Sequence, residues 1–239
     1  MEKRSPWAWI PSLYFAEGLP YVVVMTLSVI MYKRLGVSNT DIALFTSWLY
    51  FPWVIKPIWS PFVDLIKTKR WWIYSMQLLI GGGMAGVAFV LPGGFFLRFT
   101  LAFFWLMAFS SATHDIAADG FYMLGLTEEQ QAFFIGIRNT FYRVAMLTGQ
   151  GLLVMLAGLL EESTGRISFA WSLVFFVLAG TFIALALWHK YILPRPASDA
   201  QRTNITPHTI LVEFGNTFVS FFSKKGIIPA LLFMLTYRL

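Results

Sequence analysis

The sequence predicts an all-α polytopic membrane protein: a six-helix bundle followed by the start of a seventh helix. Three observations carry this. Of 239 residues, 57% are hydrophobic and only 13% charged, against about 25% charged in an ordinary soluble domain. Apolar runs of about twenty residues, the length that crosses a bilayer core about 30 Å thick, recur six times between charged or turn-rich breaks. Finally, 10 Trp, 24 Phe and 9 Tyr suit a chain whose outer surface meets acyl tails and whose ring-bearing ends sit at the headgroups. The net charge of +6 is dispersed among these runs, so it marks topology and not a nucleic-acid face. With no Cys, disulfides and thiol chemistry are excluded.

The six runs span residues 7–31, 42–63, 71–91, 95–118, 132–160 and 167–188. The first follows Lys3 and Arg4 as a signal peptide would, but it is too long for an h-region and lacks a small-x-small cleavage site, so it stays as the first helix. A seventh run opens near Ile227 and has about a dozen residues at Leu239, too few to cross; the chain reads as unfinished. With the N-terminus in the cytoplasm, the inner loops hold Lys3, Arg4, Lys67, Lys69, Arg70, Lys190, Arg195, Arg202, Lys224 and Lys225, and the outer loops only Lys33, Arg34, Arg98 and Arg166. Positive loops stay inside, so that orientation is the expected one.

Residues 190–225 form the single long polar stretch, a cytoplasmic linker opening on Pro194 and Pro196. Within it Ile210, Leu211, Phe214, Phe218, Phe221 and Phe222 repeat at helical spacing opposite Thr209, Glu213, Asn216 and Ser220. That pattern predicts an amphipathic helix, lying on the inner leaflet or covering a partner half. A six-helix unit over 1–189, this linker and a seventh helix from 226 resemble the N-terminal half of a major facilitator transporter. The resemblance implies a missing C-terminal six-helix half.

A charge at mid-bilayer costs about 2.5–3.5 kcal/mol on insertion scales, so each one present is expected to face a cavity or a partner. On the first helix Tyr14, Glu17, Tyr21 and Ser28 share a stripe that either lines water and substrate or lets Glu17 pair with a cation such as Lys56. Gly18 and Pro20 predict a bend there. Pro52, Pro57 and Pro61 surround Lys56 and predict a broken second helix, with Lys56 either in the cavity or snorkelling to the boundary. The most polar passage in any span is Ser110-Ser111-Ala112-Thr113-His114-Asp115-Ile116-Ala117-Ala118-Asp119. Ser111, Asp115 and Asp119 share a face there. The fifth helix answers with Arg138, Asn139, Tyr142 and Arg143. A turn near Glu128 and Glu129 brings Asp119 level with Arg138 and Asp115 level with Arg143. The two arginines lie about 140° apart round their helix, so one faces the acids and the other the cavity. There a guanidinium fork holds a carboxylate-bearing substrate, unless the whole set is a structural ion-pair network. Gly82 and Gly86, with Gly149, Gly151 and Gly158, are expected to serve helix packing.

The loop Ser60-Pro61-Phe62-Val63-Asp64-Leu65-Ile66-Lys67-Thr68-Lys69-Arg70 resembles the major facilitator signature between its second and third helices. Asp64 stands in the acidic place, Lys67, Lys69 and Arg70 in the basic cluster, and both glycines are missing. A more specific likeness joins Gly18-Leu19-Pro20, Pro52-Trp53, Lys56-Pro57, Trp59-Ser60-Pro61 and Ala112 to Asp119. Together they resemble the AmpG-type muropeptide permeases and the related acetyl-CoA transporters, over residues 10 to 150. Position 114 departs, being more often Gln in that family than His114.

The resemblance implies a proton-driven importer of anhydro-muropeptides in the bacterial inner membrane, working by alternating access with no cofactor. Glu17, Asp115 or Asp119 would exchange protons as the bundle rocks, and arginine forks and tyrosines would meet carboxylates and sugar hydroxyls. Two alternatives stand beside it: a facilitator for a peptide, drug or acetyl-CoA, and a metal-dependent membrane phosphotransferase. Asp115-x-x-x-Asp119 resembles the metal-binding end of the latter's motif. Its upstream Asp-Gly element is absent and Ser111 replaces a required glycine, so the expectation is a carrier with no metal and no enzymatic activity.

Overall fold

In a computed structural model, residues 4–199 and 207–237 are described; Lys3, Arg202 and Arg238 fall outside them. Five continuous helices are long and apolar enough to cross a bilayer: α1 (Pro6–Arg34), α5 (Lys69–Val90), α6 (Phe96–Gly125), α7 (Glu128–Thr164) and α8 (Ile167–Ile192). They match five of the six expected spans, with longer ends. α6 continues beyond Ala118 to Gly125, and α8 beyond Trp188 to Ile192.

The second span is in pieces: α2 (Asn39–Thr46), a 3₁₀ turn (Ser47–Tyr50), α3 (Phe51–Ile55), a second 3₁₀ turn (Lys56–Ile58) and α4 (Ser60–Ile66). Pro52, Pro57 and Pro61 each stand in the first turn of the piece they open. A missing N–H costs nothing there, whereas in a helix interior it breaks the ladder. Two helices follow the bundle, α9 (Pro207–Phe222) and α10 (Ile227–Tyr237). α9 packs on α4, with Phe214 against Phe62 at a ring separation of 5.4 Å.

Local chemistry sets the helix starts. Thr68 accepts from the Trp71 N–H at the head of α5, and Thr127 with Gln130 forms a capping box at α7, each satisfying N–H groups that a helix start leaves unpaired. α5 packs along α6 and α8, while α1 lies against α7 and α6. The contact of α1 with α7 is close. A Cβ at Gly18 would stand 2.9 Å from the Tyr142 carbonyl oxygen, and one at Gly149 only 2.2 Å from Val22 Cγ1.

Each helix widens into a π turn at this contact, Val23–Leu27 in α1 and Thr148–Leu152 in α7, and the two turns touch. Gly151 and Gly158 meet nothing within 4 Å and take no part. On α5, Gly83 and Gly86 receive Met107 and Phe103, and Gly82 faces open space. The small-residue pair expected at Gly82 and Gly86 is therefore displaced by one position at its first member.

The apolar core has two clusters that follow one another along each of the five long helices. One holds Ala16, Ile80, Ala108 and Phe182, the other Tyr14, Ile73, Ala117 and Leu193. On α5, α6 and α8, Gln77, Ser111, His114, Asp115 and His189 lie between them, and on α1 Ser12 and Glu17 stand on either side of the boundary. A polar layer thus crosses a bundle that is otherwise close-packed hydrocarbon.

Candidate functional site

The layer divides into two groups on different sides of α6, since the consecutive His114 and Asp115 point about 100° apart. On the side toward α1, the broken span and α7 lie the charges. Lys56, in the 3₁₀ turn between two prolines, places Nζ 3.6 Å from Asp115 Oδ2. The break explains this, because a continuous helix has no reason to turn that residue inward. Arg138 donates from Nη2 to Asp119 Oδ1 at 2.8 Å, and the Tyr14 hydroxyl donates to the same oxygen at 3.5 Å.

The Arg138 guanidinium also lies over the rings of Tyr14 and Tyr122, at 4.5 and 5.2 Å from their centroids. Such stacking is worth about 0.5–2 kcal/mol per contact. Glu17 is buried, within electrostatic reach of Asp115, Asp119, Arg138 and Lys56, yet makes no ion pair with a described residue. Its Oε2 and the Oδ1 of Asp115 have no hydrogen-bond partner among the described residues. Two buried carboxylates, each with an uncommitted oxygen, are costly in a low-dielectric interior. They mark groups free to bind a proton or a cationic or hydroxyl-bearing ligand.

Tyr142 stands across from Gly18 and is within electrostatic reach of Asp115 and Glu17. Tyr21 packs on Trp53 and Tyr50, so aromatic rings wall the group on the side of the broken span. Lys56 and Asp119 border a cavity of about 930 Å³ that opens between α4, α6 and the end of α9.

Three sequence expectations are corrected. Arg138 is the arginine that faces the acids, but Arg143, expected in the cavity, is exposed and makes no ion pair or hydrogen bond with a described residue, and the cation beside Asp115 is Lys56. Ser28 turns back to donate to the Val24 carbonyl at 2.5 Å inside the π turn, so the α1 stripe ends at Tyr21. His114 points away from the acids. Its Nε2 meets Gln77 Nε2 at 2.9 Å, Gln77 Oε1 accepts from His189 Nδ1 at 2.9 Å, and His189 Nε2 meets Ser12 Oγ at 3.0 Å.

This second group ties α6, α5, α8 and α1 together in one buried string, each imidazole using one nitrogen as acceptor. It is the part that sequence reasoning missed. Gln77 is a polar residue inside an apolar run, the same signal that singled out His114 and Glu17, whereas His189 stands one residue past the end of its run.

The signature loop acts as a clasp. Asp64 forms an ion pair with Lys69, whose stem fills the space beside Gly120. Arg70 donates from Nε to the Leu193 carbonyl at 3.2 Å and from its guanidinium tip to the Lys190 carbonyl. The Asp199 carboxylate accepts from the Lys69 and Arg70 backbone N–H groups at 2.7 and 3.1 Å, an acid at a helix N-terminus where the dipole favours it. Lys67 is exposed. The loop thus fastens the start of α5 to the end of α8 and to the segment that follows.

With this geometry established, comparison with known proteins decides the family. Residues 16–215 match the BT1 family. The chain belongs to the BT1 family. Among similar curated proteins is the anhydromuropeptide permease of Escherichia coli K12, 31% identical over 152 residues that cover 61% of this chain and 30% of the permease. A protein of Haemophilus influenzae is 27% identical over 239 residues, 94% of this chain and 51% of its own length. A membrane protein of Saccharomyces cerevisiae is 26% identical over 148 residues, 51% of this chain and 26% of the relative. The chain spans about half the length, or less, of the curated relatives it matches. The resemblance to AmpG-type permeases drawn from Gly18 to Asp119 agrees with BT1 membership and with the similarity to the anhydromuropeptide permease.

Proposed function

We propose that this BT1 chain carries the proton- and substrate-binding layer of a secondary carrier of the major facilitator type. Its solutes are anhydro-muropeptides, and its N-terminus is in the cytoplasm of a bacterial inner membrane. The observation that carries the reading is the pair of buried carboxylates, Glu17 and Asp115, held near Lys56 and the Asp119–Arg138 pair, of which Lys56 and Asp119 line the 930 Å³ cavity. A carboxylate that binds a proton in one state and a cation in the other makes the bundle's geometry sensitive to proton occupancy. That is what coupling requires.

Arg138, framed by Tyr14 and Tyr122, is the group suited to a substrate carboxylate, because a planar fork can exchange Asp119 for a ligand acid without losing its stacking. Similarity to the anhydromuropeptide permease supports the solute class, and a second membrane half supplies the opposite wall.

Lys56 and Arg138 neutralise Asp115 and Asp119 directly. This favours a carrier over a metal-dependent phosphotransferase, which needs those acids for an ion. The test is uptake of radiolabelled anhydro-muropeptide by cells that lack their own permease and express this protein, with and without a proton gradient. Uptake above background that collapses with the gradient is expected. Uptake of peptide, drug or acetyl-CoA in its place transfers the mechanism to another solute, and no gradient-dependent uptake of any of them refutes the carrier.

A further inference from the structure

A second cavity, of about 870 Å³, lies where α1 begins, α5 begins, α6 turns into α7 and α8 ends. All five continuous spans have one end on this side. The cavity is lined by Arg4, Arg70, Lys190 and Arg195, and by no carboxylate among the described residues. Arg70 is held in place by the Leu193 and Lys190 carbonyls. Arg4 and Arg195 stand close enough for their like charges to act on it. Asp199 also reaches Arg70, but its two oxygens are taken by the N–H groups at the head of α5.

Arg4, Lys190 and Arg195 are exposed and make no ion pair with a described residue. Four cations thus surround one concave space with no carboxylate in its described lining, an arrangement that attracts an anion. The ring of Tyr191, 69% exposed at the last turn of a span, lies on the same rim, with Trp9 in the wall. Such rings seat at the headgroup level of a bilayer.

We infer that this cavity binds the phosphate of an anionic phospholipid headgroup from the adjacent leaflet, with Arg70 as the fixed donor and Arg4, Lys190 and Arg195 closing around it. The headgroup bridges the ends of α1, α5 and α8, the last two of which the signature loop also clasps. The site is separate from the acid–base layer and does not depend on what the protein carries.

The test is lipid retention by the full chain purified in detergent, read by native mass spectrometry during titration with phosphatidylglycerol, phosphatidylcholine or inorganic phosphate. Phosphatidylglycerol is expected to bind at least tenfold tighter than phosphatidylcholine. At about fivefold per cation near an anionic surface, the Lys190→Gln/Arg195→Gln double variant is expected to lose roughly 25-fold. The Lys224→Gln/Lys225→Gln control removes the same charge outside the cavity and should change retention less than threefold. Equal loss in both double variants, or no preference for the anionic lipid, overturns the site. Displacement of the lipid by inorganic phosphate at equal concentration overturns the assignment to a lipid. Thermal unfolding of both double variants within 2 °C of the parent establishes that a loss is not misfolding.

Discussion

Lys56 reaches Asp115 only because the second span is broken, so the strength of that ion pair tests the break and the polar layer together. At 3.6 Å the Coulomb attraction is about 1 kcal/mol in water and about 5 kcal/mol at an effective dielectric of 20. The Asp115 side chain is 12% exposed and that of Lys56 36%, so solvent screens one end, and a coupling of about 1–3 kcal/mol is expected.

Lys56→Met leaves Asp115 buried without a counter-charge and is expected to cost about 2–4 kcal/mol, while Asp115→Asn costs less because the amide carries no charge. The double variant should be more stable than the sum of the singles by the coupling energy. Thermodynamic unfolding in mixed micelles, followed by tryptophan fluorescence, measures all four proteins of the cycle. Additivity within about 0.5 kcal/mol would refute the pairing, and with it the inward placement of Lys56.

Gly149→Val places carbon where Val22 already stands and should destabilise by about 1–3 kcal/mol, whereas Gly151→Ala two residues on should be neutral in the same unfolding assay. Gln77→Leu cuts the string from His114 to Ser12 and should cost about 1–3 kcal/mol through unpaired imidazoles. The pH profile of uptake should be unchanged, and an altered profile would return His114 to the transport pathway. Since the chain has no native Cys, Ser223→Cys and Ser163→Cys report topology cleanly. A membrane-impermeant maleimide should reach position 163 in intact cells and position 223 only after permeabilisation, and the reverse pattern would invert the orientation.

The spans, the broken second helix and the meeting of Asp119 with Arg138 were legible in the sequence because each rests on local rules: apolar run length, proline position and equal rise from a shared turn. The partner of Asp115 was not. Counting residues from the turn near Glu128 placed Arg143 level with it, but depth alone does not fix azimuth. The arginine five residues past Arg138 points outward, while the proline break lets Lys56 enter. Ser28 was misassigned for a related reason, since the π turn at Val23–Leu27 shifts the helical phase beyond Tyr21. The string through Gln77 and His189 needs four helices to be placed side by side, which no single-helix periodicity reveals. In the described part of α9 the helix exists as its pattern predicts, and α4 supplies a contact for Phe214.

Proton movement coupled to solute movement is the central claim, and proteoliposomes holding the purified protein and an internal pH dye measure it directly. Adding anhydro-muropeptide outside, with no imposed gradient, should acidify the lumen, and Glu17→Gln or Asp115→Asn should suppress that acidification while solute binding persists. Solute entry with no change in internal pH, or acidification of equal size in both variants, would contradict the account.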